Sequence, residues 1–392
     1  MKRIIFSFLV LFSFSLIYYT VNKAPIRPKS NFNYFIAGNF FDSEKSLEYS
    51  LPELLKVIRV LNTNNNVFVS FLENGSTDRT KEILSDFQLS LQVPNKIVIC
   101  NQSSTVSWKL NKILGREYIA KLFKERAGIR YQRMAVLRNL ALLPLYSYEF
   151  KNDYPIKVVF LNDVYFEADQ LMELIFTNDG KYDMVCALDF YYQFYDVLVA
   201  RDIDGYWFSG YYPYTRHKDS QDSLRKNQPF KVKSCWNGIT VFNSEPLLTK
   251  NLTFRGRKFS NSSCECVQSE CLLFCADLIK NKYEAIYINP NIKVSYEWKY
   301  YILHYYFSFF INFIHQSWFD FRTPPEVQSN QIGCSMPPYW EPEIPRTYMS
   351  LSSPTCTLNV SDFEIYNKHQ SWLIYEDQVY NSYLQEFTQT CS

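Results

Sequence analysis

The chain has 392 residues, 47% of them apolar, which is ample for a buried core in one large or two moderate domains and rules out a disordered chain. Its 41 Lys and Arg against 39 Asp and Glu leave a formal charge of +2, so there is no basic surplus to neutralise a phosphate backbone and no nucleic-acid partner is expected. The 10 Gly are too few for collagen-like or glycine-linker architecture, and the 31 Tyr and 32 Phe offer ring faces that pack on sugar C–H groups or reflect compositional drift alone.

At the N-terminus, Lys2 and Arg3 precede an apolar run over 4–21, 18 residues broken by Ser7, Ser13, Ser15 and Thr20. That is the lower limit for crossing about 30 Å of hydrocarbon at about 1.5 Å per residue. Bulky Tyr18 and Tyr19 stand where a cleavage site would need small residues. The positive charge lies on the short side, so the pattern predicts a cytoplasmic tip and signal-anchor helix over 1–21, with everything beyond it luminal. A cleaved signal peptide is the alternative. Five sequons, at Asn74, Asn101, Asn251, Asn261 and Asn359, and 10 Cys, all beyond the anchor, agree with an oxidising compartment.

Residues 22–33, with Pro25, Pro28 and several basic side chains, read as a short stem. A domain over 34–320 follows, in which β-like runs alternate with helical periodicity, as an α/β fold requires. Strands are predicted over 34–37, 67–72, 96–100, 157–161, 184–188, 239–242 and 285–288. Helices are predicted over 51–62, 78–87, 131–142, 168–177 and 269–280. Cys264, Cys266, Cys271 and Cys275 lack the paired spacing of a zinc ribbon and have no His nearby, so structural disulfides are expected there. The aromatic stretch over 300–314 is too short to span a membrane, and it reads as a buried or membrane-facing surface helix. A proline-rich extension over 321–392, holding Cys334, Cys356 and Cys391, is expected to pack on the domain.

Three groups of residues carry chemistry. In the first, a strand ends in Glu73, a turn follows, and Asp78 and Thr80 open a helix. Ligands of open α/β sheets bind at such carboxyl ends; a carboxylate there can accept ribose hydroxyls, although Asp78 would equally serve as an N-cap. In the second, the strand over 158–161 stops at Asn162-Asp163, where hard oxygen ligands suit Mg²⁺ or Mn²⁺ on a nucleotide diphosphate and where a turn is the plainer reading. In the third, Cys235-Trp236-Asn237-Gly238 precedes a strand, and Ser269-Glu270-Cys271 opens a helix whose dipole keeps Glu270 ionised. Glu270 could orient an acceptor hydroxyl or act as a base.

The order of Arg138-Asn139, Leu161-Asn162-Asp163-Val164, Arg201-Asp202, Cys235-Trp236-Asn237-Gly238 and Ser269-Glu270-Cys271 resembles the fungal capsule-associated α-1,3-mannosyltransferases, glycosyltransferase family 69. The resemblance runs over about 34–298. It implies a GT-A-like α/β fold with a mixed, mainly parallel central sheet behind one N-terminal transmembrane helix. It implies a type II protein of the Golgi or endoplasmic reticulum membrane that transfers mannose from GDP-mannose to a mannose-containing acceptor, with Mn²⁺ or Mg²⁺. On that resemblance Glu73 and Asp78 contact the nucleoside, and Asp163 stands at the metal-binding DxD position. Arg138, Arg201 and Asn237 serve the nucleotide sugar. Asp189, Asp196 and Asp202 lie where the donor sugar is contacted, with Asp189 and Asp202 as catalytic candidates beside Glu270.

Two features depart from the wider pattern. The DxD position carries a single carboxylate, and Val294-Ser295-Tyr296-Glu297 stands where many relatives place a metal-binding His. The Asn74 sequon falls inside the nucleotide loop, so it is expected to be unmodified. An α-linked donor and an α-1,3 product mean retention, by a covalent intermediate or by same-face attack with Glu270 holding the acceptor. Rival readings are a UDP-sugar transferase and an inactive membrane-anchored glycan-binding protein of the same fold.

Overall fold

The computed structural model describes residues 31–62, 66–100, 126–256, 268–308 and 310–312. The anchor run over 4–21, most of the stem, the extension over 321–392 and five of the cysteines (Cys264, Cys266, Cys334, Cys356 and Cys391) lie outside the described residues. No helix among the described residues is long and apolar enough to cross a membrane.

The strands are β1 (Asn33–Phe40), β2 (Val67–Glu73), β3 (Asn95–Ile99), β4 (Ile156–Leu161), β5 (Met184–Phe190), β6 (Arg201–Asp202), β7 (Phe230–Ser234), β8 (Ile239–Asn243) and β9 (Ile286–Ser295). The helices are α1 (Glu44–Leu61), α2 (Thr80–Ser90), α3 (Arg126–Leu142), α4 (Ala168–Ile175), α5 (Lys218–Arg225), α6 (Glu245–Lys250), α7 (Glu270–Lys280) and α8 (Trp298–Tyr306).

One nine-stranded sheet runs in the order β3-β2-β1-β4-β8-β5-β9-β7-β6. Its pairings divide evenly. β3–β2, β2–β1, β1–β4 and β5–β9 are parallel, whereas β4–β8, β8–β5, β9–β7 and β7–β6 are antiparallel. The sheet is therefore mixed, and its majority direction comes from strands that share an orientation without all being neighbours. Strand alternation builds two cores. Tyr34 and Ile36 pack toward α1, α2 and α4, while Phe35 and Ala37 pack toward α3 and α7. The result is an α/β/α sandwich, so β1, β2 and β4 are apolar on both faces.

Several elements differ from the sequence pattern for identifiable reasons. Pro52 suggests a helix start near 51, yet α1 begins at Glu44, because Leu47, Leu51, Leu54, Ile58 and Leu61 form one buried stripe. Burying that stripe outweighs the cost of an interior proline, about 3 kcal/mol. β9 continues past Ile288 through Pro290, because a register shift against β5 between Cys186 and Leu188 leaves that proline without a ladder bond to donate. β6, β7, α5 and α6 are too short to show a period. The aromatic stretch near 300 yields α8, whose Tyr301 and Tyr305 bury against Tyr165.

Cys186 of β5 is bridged to Cys235, just before β8. Cys271 and Cys275 are buried free thiols, so the expectation of disulfides in that crowded group fails for these two. Cys275 Sγ instead donates to the Cys235 carbonyl at 3.4 Å, a use of the thiol as a small apolar side chain.

The turn into β8 has an unusual backbone. Asn237 (φ +52°) and Gly238 (φ +77°) are consecutive left-handed residues, the Asn-Gly pairing that tight hairpin turns favour. A Cβ on Gly238 would lie 2.8 Å from Val294 Cγ2 and 3.3 Å from Asp189 Cβ. Gly238→Ala is expected to lower stability by about 1–3 kcal/mol, through strain and overpacking together. A denaturation midpoint equal to wild type would refute it.

Candidate active site at the carboxyl edge of the sheet

β1, β2, β4, β5 and β9 deliver their carboxyl ends to one edge of the sheet, and the residues singled out by sequence collect there. At the β2 end Glu73 is fully buried. Its Oε1 accepts the amides of Gly75 and Ser76, and its Oε2 accepts that of Cys100 at 3.0 Å. Asp78 accepts the amides of Thr80 at 3.0 Å and Glu44 at 3.0 Å, so it caps two helices, and those bonds hold its carboxyl below the ordinary value against the opposing effect of burial. Asp42 adds a bond from the Thr77 amide at 2.7 Å. The two loops are thereby tied into one rigid rim, and Glu73 and Asp78 shape that rim rather than presenting free oxygens. Asn74 donates to Asn39 Oδ1 at 3.1 Å, whereas the sequon residue Asn251 is exposed.

The centre of the site is a buried ion pair. Arg138 Nε on α3 donates to Glu270 Oε1 at 3.0 Å, with both side chains almost inaccessible. The guanidinium lies 4.4 Å from the Trp236 ring centroid, and its Nη1 reaches Asn162 Oδ1 at 3.3 Å. The same Asn162 oxygen accepts from Trp236 Nε1 at 3.3 Å. Ser269 and Cys271 also donate to Glu270, which leaves that carboxylate enclosed; holding an acceptor hydroxyl is not what its surroundings favour.

From Asn162 the network runs to the acids. Asn162 Nδ2 donates to the Tyr296 hydroxyl at 3.4 Å, and that hydroxyl donates to Asp189 Oδ2 at 3.1 Å. Asp189 Oδ1 accepts the Asp196 amide at 3.2 Å, and Asp196 Oδ2 accepts the Asn237 amide at 3.0 Å. Asp189 is wholly buried, and desolvation reinforced by the Asp196 charge pushes it well above the usual carboxylate range. Desolvation also raises Asp163, and it pushes Asp196 up to about 6, although solvent still reaches part of both side chains. Three acids thus crowd one rim, while the buried Arg138 beside it is committed to Glu270.

Three other sequence candidates serve the scaffold. Arg201 donates to the carbonyls of Val197, Ala200 and Leu198 and lies over Trp207, so it pins the loop that carries Asp196. Asp202 accepts the amides of Asp204 and Tyr206 and the Thr215 hydroxyl, which caps a turn away from the acids. Asn237 is buried, with its Nδ2 on the Ala187 carbonyl at 2.8 Å; its side chain fixes the turn and its amide steadies Asp196. Asn162 and Tyr296, each present in a quoted motif, received no role from sequence. Tyr296 joins only through the β9 register, which sequence does not reveal. Glu297, in the segment where many relatives place a metal-binding His, accepts the Tyr191 hydroxyl and pairs with Lys299 at 2.8 Å.

A cluster of acids at the carboxyl edge of a mixed α/β sheet occupies the edge where proteins of that architecture bind ligands. The family described as Cryptococcal mannosyltransferase 1 matches residues 33–277, and the chain belongs to it. The α-1,3-mannosyltransferase CMT1 of Cryptococcus neoformans is 26% identical over 294 residues, which cover 70% of this chain and 59% of the relative, so the chain spans less than two thirds of that protein. Among solved structures, Staphylococcus aureus TarS 1–349 is similar at a TM-score of 0.34 and 13% identity, over 67% of this chain and 60% of that one. The Pyrobaculum calidifontis mannosyltransferase PcManGT, in complex with GDP-Man and Mn²⁺, reaches 0.36 and 12% identity, over 73% of this chain and 65% of that one. At these scores no residue role is carried over from either.

The buried pair makes a direct prediction. Arg138→Met strands Glu270 without its cation and is expected to cost about 3–5 kcal/mol. Adding Glu270→Leu should return most of that loss, because the uncompensated charge is gone. Strictly additive losses in denaturant titrations would show that the pair does not organise this site.

Proposed function

We propose that the chain transfers mannose from GDP-mannose to a mannose-containing glycan, forming an α-1,3 linkage with retention. Membership of the mannosyltransferase family supports this reading, and one observation carries it: Asp163, Asp189 and Asp196 share a rim on which none of them forms an ion pair among the described residues, the buried Arg138 being paired with Glu270. A rim of that kind favours a cation-bearing ligand. Among the described residues no group of three or more His, Cys, Asp or Glu could hold an ion alone. The hard carboxylate of Asp163 therefore fits Mn²⁺ or Mg²⁺ shared with the donor's diphosphate oxygens, the way Mg²⁺ sites are usually completed. When bound there, such an ion neutralises charge on the departing GDP.

The chain's own residues supply the rest. The Arg138–Glu270–Asn162 network fixes the β4 end that bears Asp163. Asp196, partly open to solvent, is the carboxylate we assign to the face of the sugar where positive charge develops. Asp189 lies behind it as a positioning residue and holds the Asp196 backbone. Retention by same-face attack then needs no side-chain base, since the leaving diphosphate oxygen takes the acceptor proton. The same reading assigns 34–320 to catalysis, keeps the extension over 321–392 against it, and puts both in the lumen of the Golgi or endoplasmic reticulum behind a type II anchor over 1–21. The basic residues before the apolar run support that orientation.

The deciding experiment follows nucleotide release from a panel of GDP- and UDP-sugars, with Mn²⁺ and with EDTA. Release from GDP-mannose alone, lost on chelation and in Asp163→Asn, is the expected result. Turnover of a UDP-sugar would replace the donor, and silence from a folded chain would favour an inactive glycan-binding protein.

Asp196 also sets a pH dependence. kcat/KM should fall as pH drops through about 6, where Asp196 takes up its proton. Between an ordinary carboxylate value of about 4 and that point the folded chain binds more protons than the unfolded one, so this group erodes stability as pH rises. Asp196→Asn should therefore melt higher than wild type at pH about 7.5 while losing about 100-fold or more in kcat. A variant that melts lower, or that keeps its rate, would remove Asp196 from this role.

A further inference from the structure

A row of exposed tyrosines begins at the acid rim. Tyr195 is 49% exposed, and its ring stands 4.8 Å from that of Tyr296, whose hydroxyl holds Asp189. Through Tyr296 the Tyr195 ring thus adjoins the acids. The Tyr191 ring lies 6.4 Å from that of Tyr195, and it is flanked by the half-buried Tyr300 at 5.1 Å and by Tyr192 at 6.5 Å. Tyr192 is 58% exposed.

The row is built rather than incidental. Phe190, just before the exposed tyrosines, and Phe194, among them, are buried, and Phe190 stacks on His304 of α8 at 3.9 Å. The Tyr191 amide donates to the Gln193 carbonyl at 3.0 Å, and the Tyr195 amide donates to the Asp189 carbonyl at 3.0 Å. The loop is thus fixed with its rings facing outward, so a ligand meets them without an ordering cost. Glu297 and Lys299 pair beside the row and add charged groups that can bond hydroxyls.

We propose that this row is the acceptor subsite: a neutral chain of α-linked pyranoses lies along Tyr195, Tyr191, Tyr192 and Tyr300, stacking ring faces on its C–H groups, with its terminal sugar at the acid rim. The assignment rests on the mannosyl-transfer reading. Continuity with the acids selects a glycan, because the strip leads into the reacting centre. Its composition does too: phenols interleaved with an ion pair suit a hydroxyl-rich ligand better than a hydrocarbon surface.

The test titrates the full chain with α-1,3-linked mannobiose, mannotriose and mannotetraose by calorimetry, and separately with GDP and Mn²⁺. Wild-type affinity should rise with chain length. Tyr191→Ala should weaken mannotetraose about tenfold while leaving mannobiose and GDP unchanged, and Tyr191→Phe should restore binding. Affinity independent of length, or a Tyr191→Ala variant that binds as wild type, overturns the proposal while normal GDP binding leaves the donor reading standing. If GDP fails to bind, the donor reading falls and the acceptor role falls with it, even where ring-dependent glycan binding survives. Hydrogen exchange at 191–195 slowed by phosphatidylserine nanodiscs but not by mannotetraose would assign the strip to a lipid surface and overturn it as well.

Discussion

The Arg138–Glu270 pair is the constraint on which the site depends. Neither group could remain charged in that interior alone, since desolvation costs several kcal/mol per ion. Each satisfies the other, and the donors and rings around them finish the accounting: Trp236 under the guanidinium, Asn162 at its edge, Ser269 and Cys271 on the carboxylate. Four elements far apart in sequence meet at this point: α3, the end of β4, the turn into β8 and the first turn of α7. Their meeting sets where Asp163 stands and how the Asn237-Gly238 turn can steady Asp196.

The acids on the other side of Asn162 show the opposite economy. Asp189 and Asp196 are held by amides and a phenol, with no ion pair to either among the described residues, and both are pushed toward the protonated form by burial. Local instability of this kind is tolerated where the surrounding structure over-determines the geometry, and a ligand that brings positive charge relieves it. The tyrosines adjoin the acid rim through the Tyr195–Tyr296 ring contact, so the two proposed roles would share one continuous surface.

Much of the architecture was legible because buried strands announce themselves. β1, β2, β4, β5 and β8 are short runs rich in β-branched and aromatic residues, and each was placed within a few positions. The reach of α1 across Pro52 was not, since only tertiary burial reveals how much apolar contact outweighs a proline. The motifs converge on one edge of the sheet, as their places at strand ends implied. They did not separate residues that would face a ligand from residues that build the wall: Glu73, Asp78, Arg201, Asp202 and Asn237 look as reactive as Asp163 on paper, yet spend their polar atoms on backbone groups. Tyr296 was hidden for a different reason, because its neighbours are set by the shifted β9 register.

The position of β8 between β4 and β5 has a consequence for how the chain acquires its shape. β4 has one edge on β1, which precedes it, and the other on β8, which follows about 80 residues later. β5 has no partner at all until β8 and then β9 have been made. During synthesis β3, β2 and β1 can pair early, β4 then adds to β1, and until β8 is made β4 presents an unpaired margin that is apolar apart from Lys157 while β5 waits beside it. The insertion of β8 after the Asn237-Gly238 turn is therefore the step that joins an early part of the sheet to a late one, and the acid rim, which straddles that seam, comes into being only at the end.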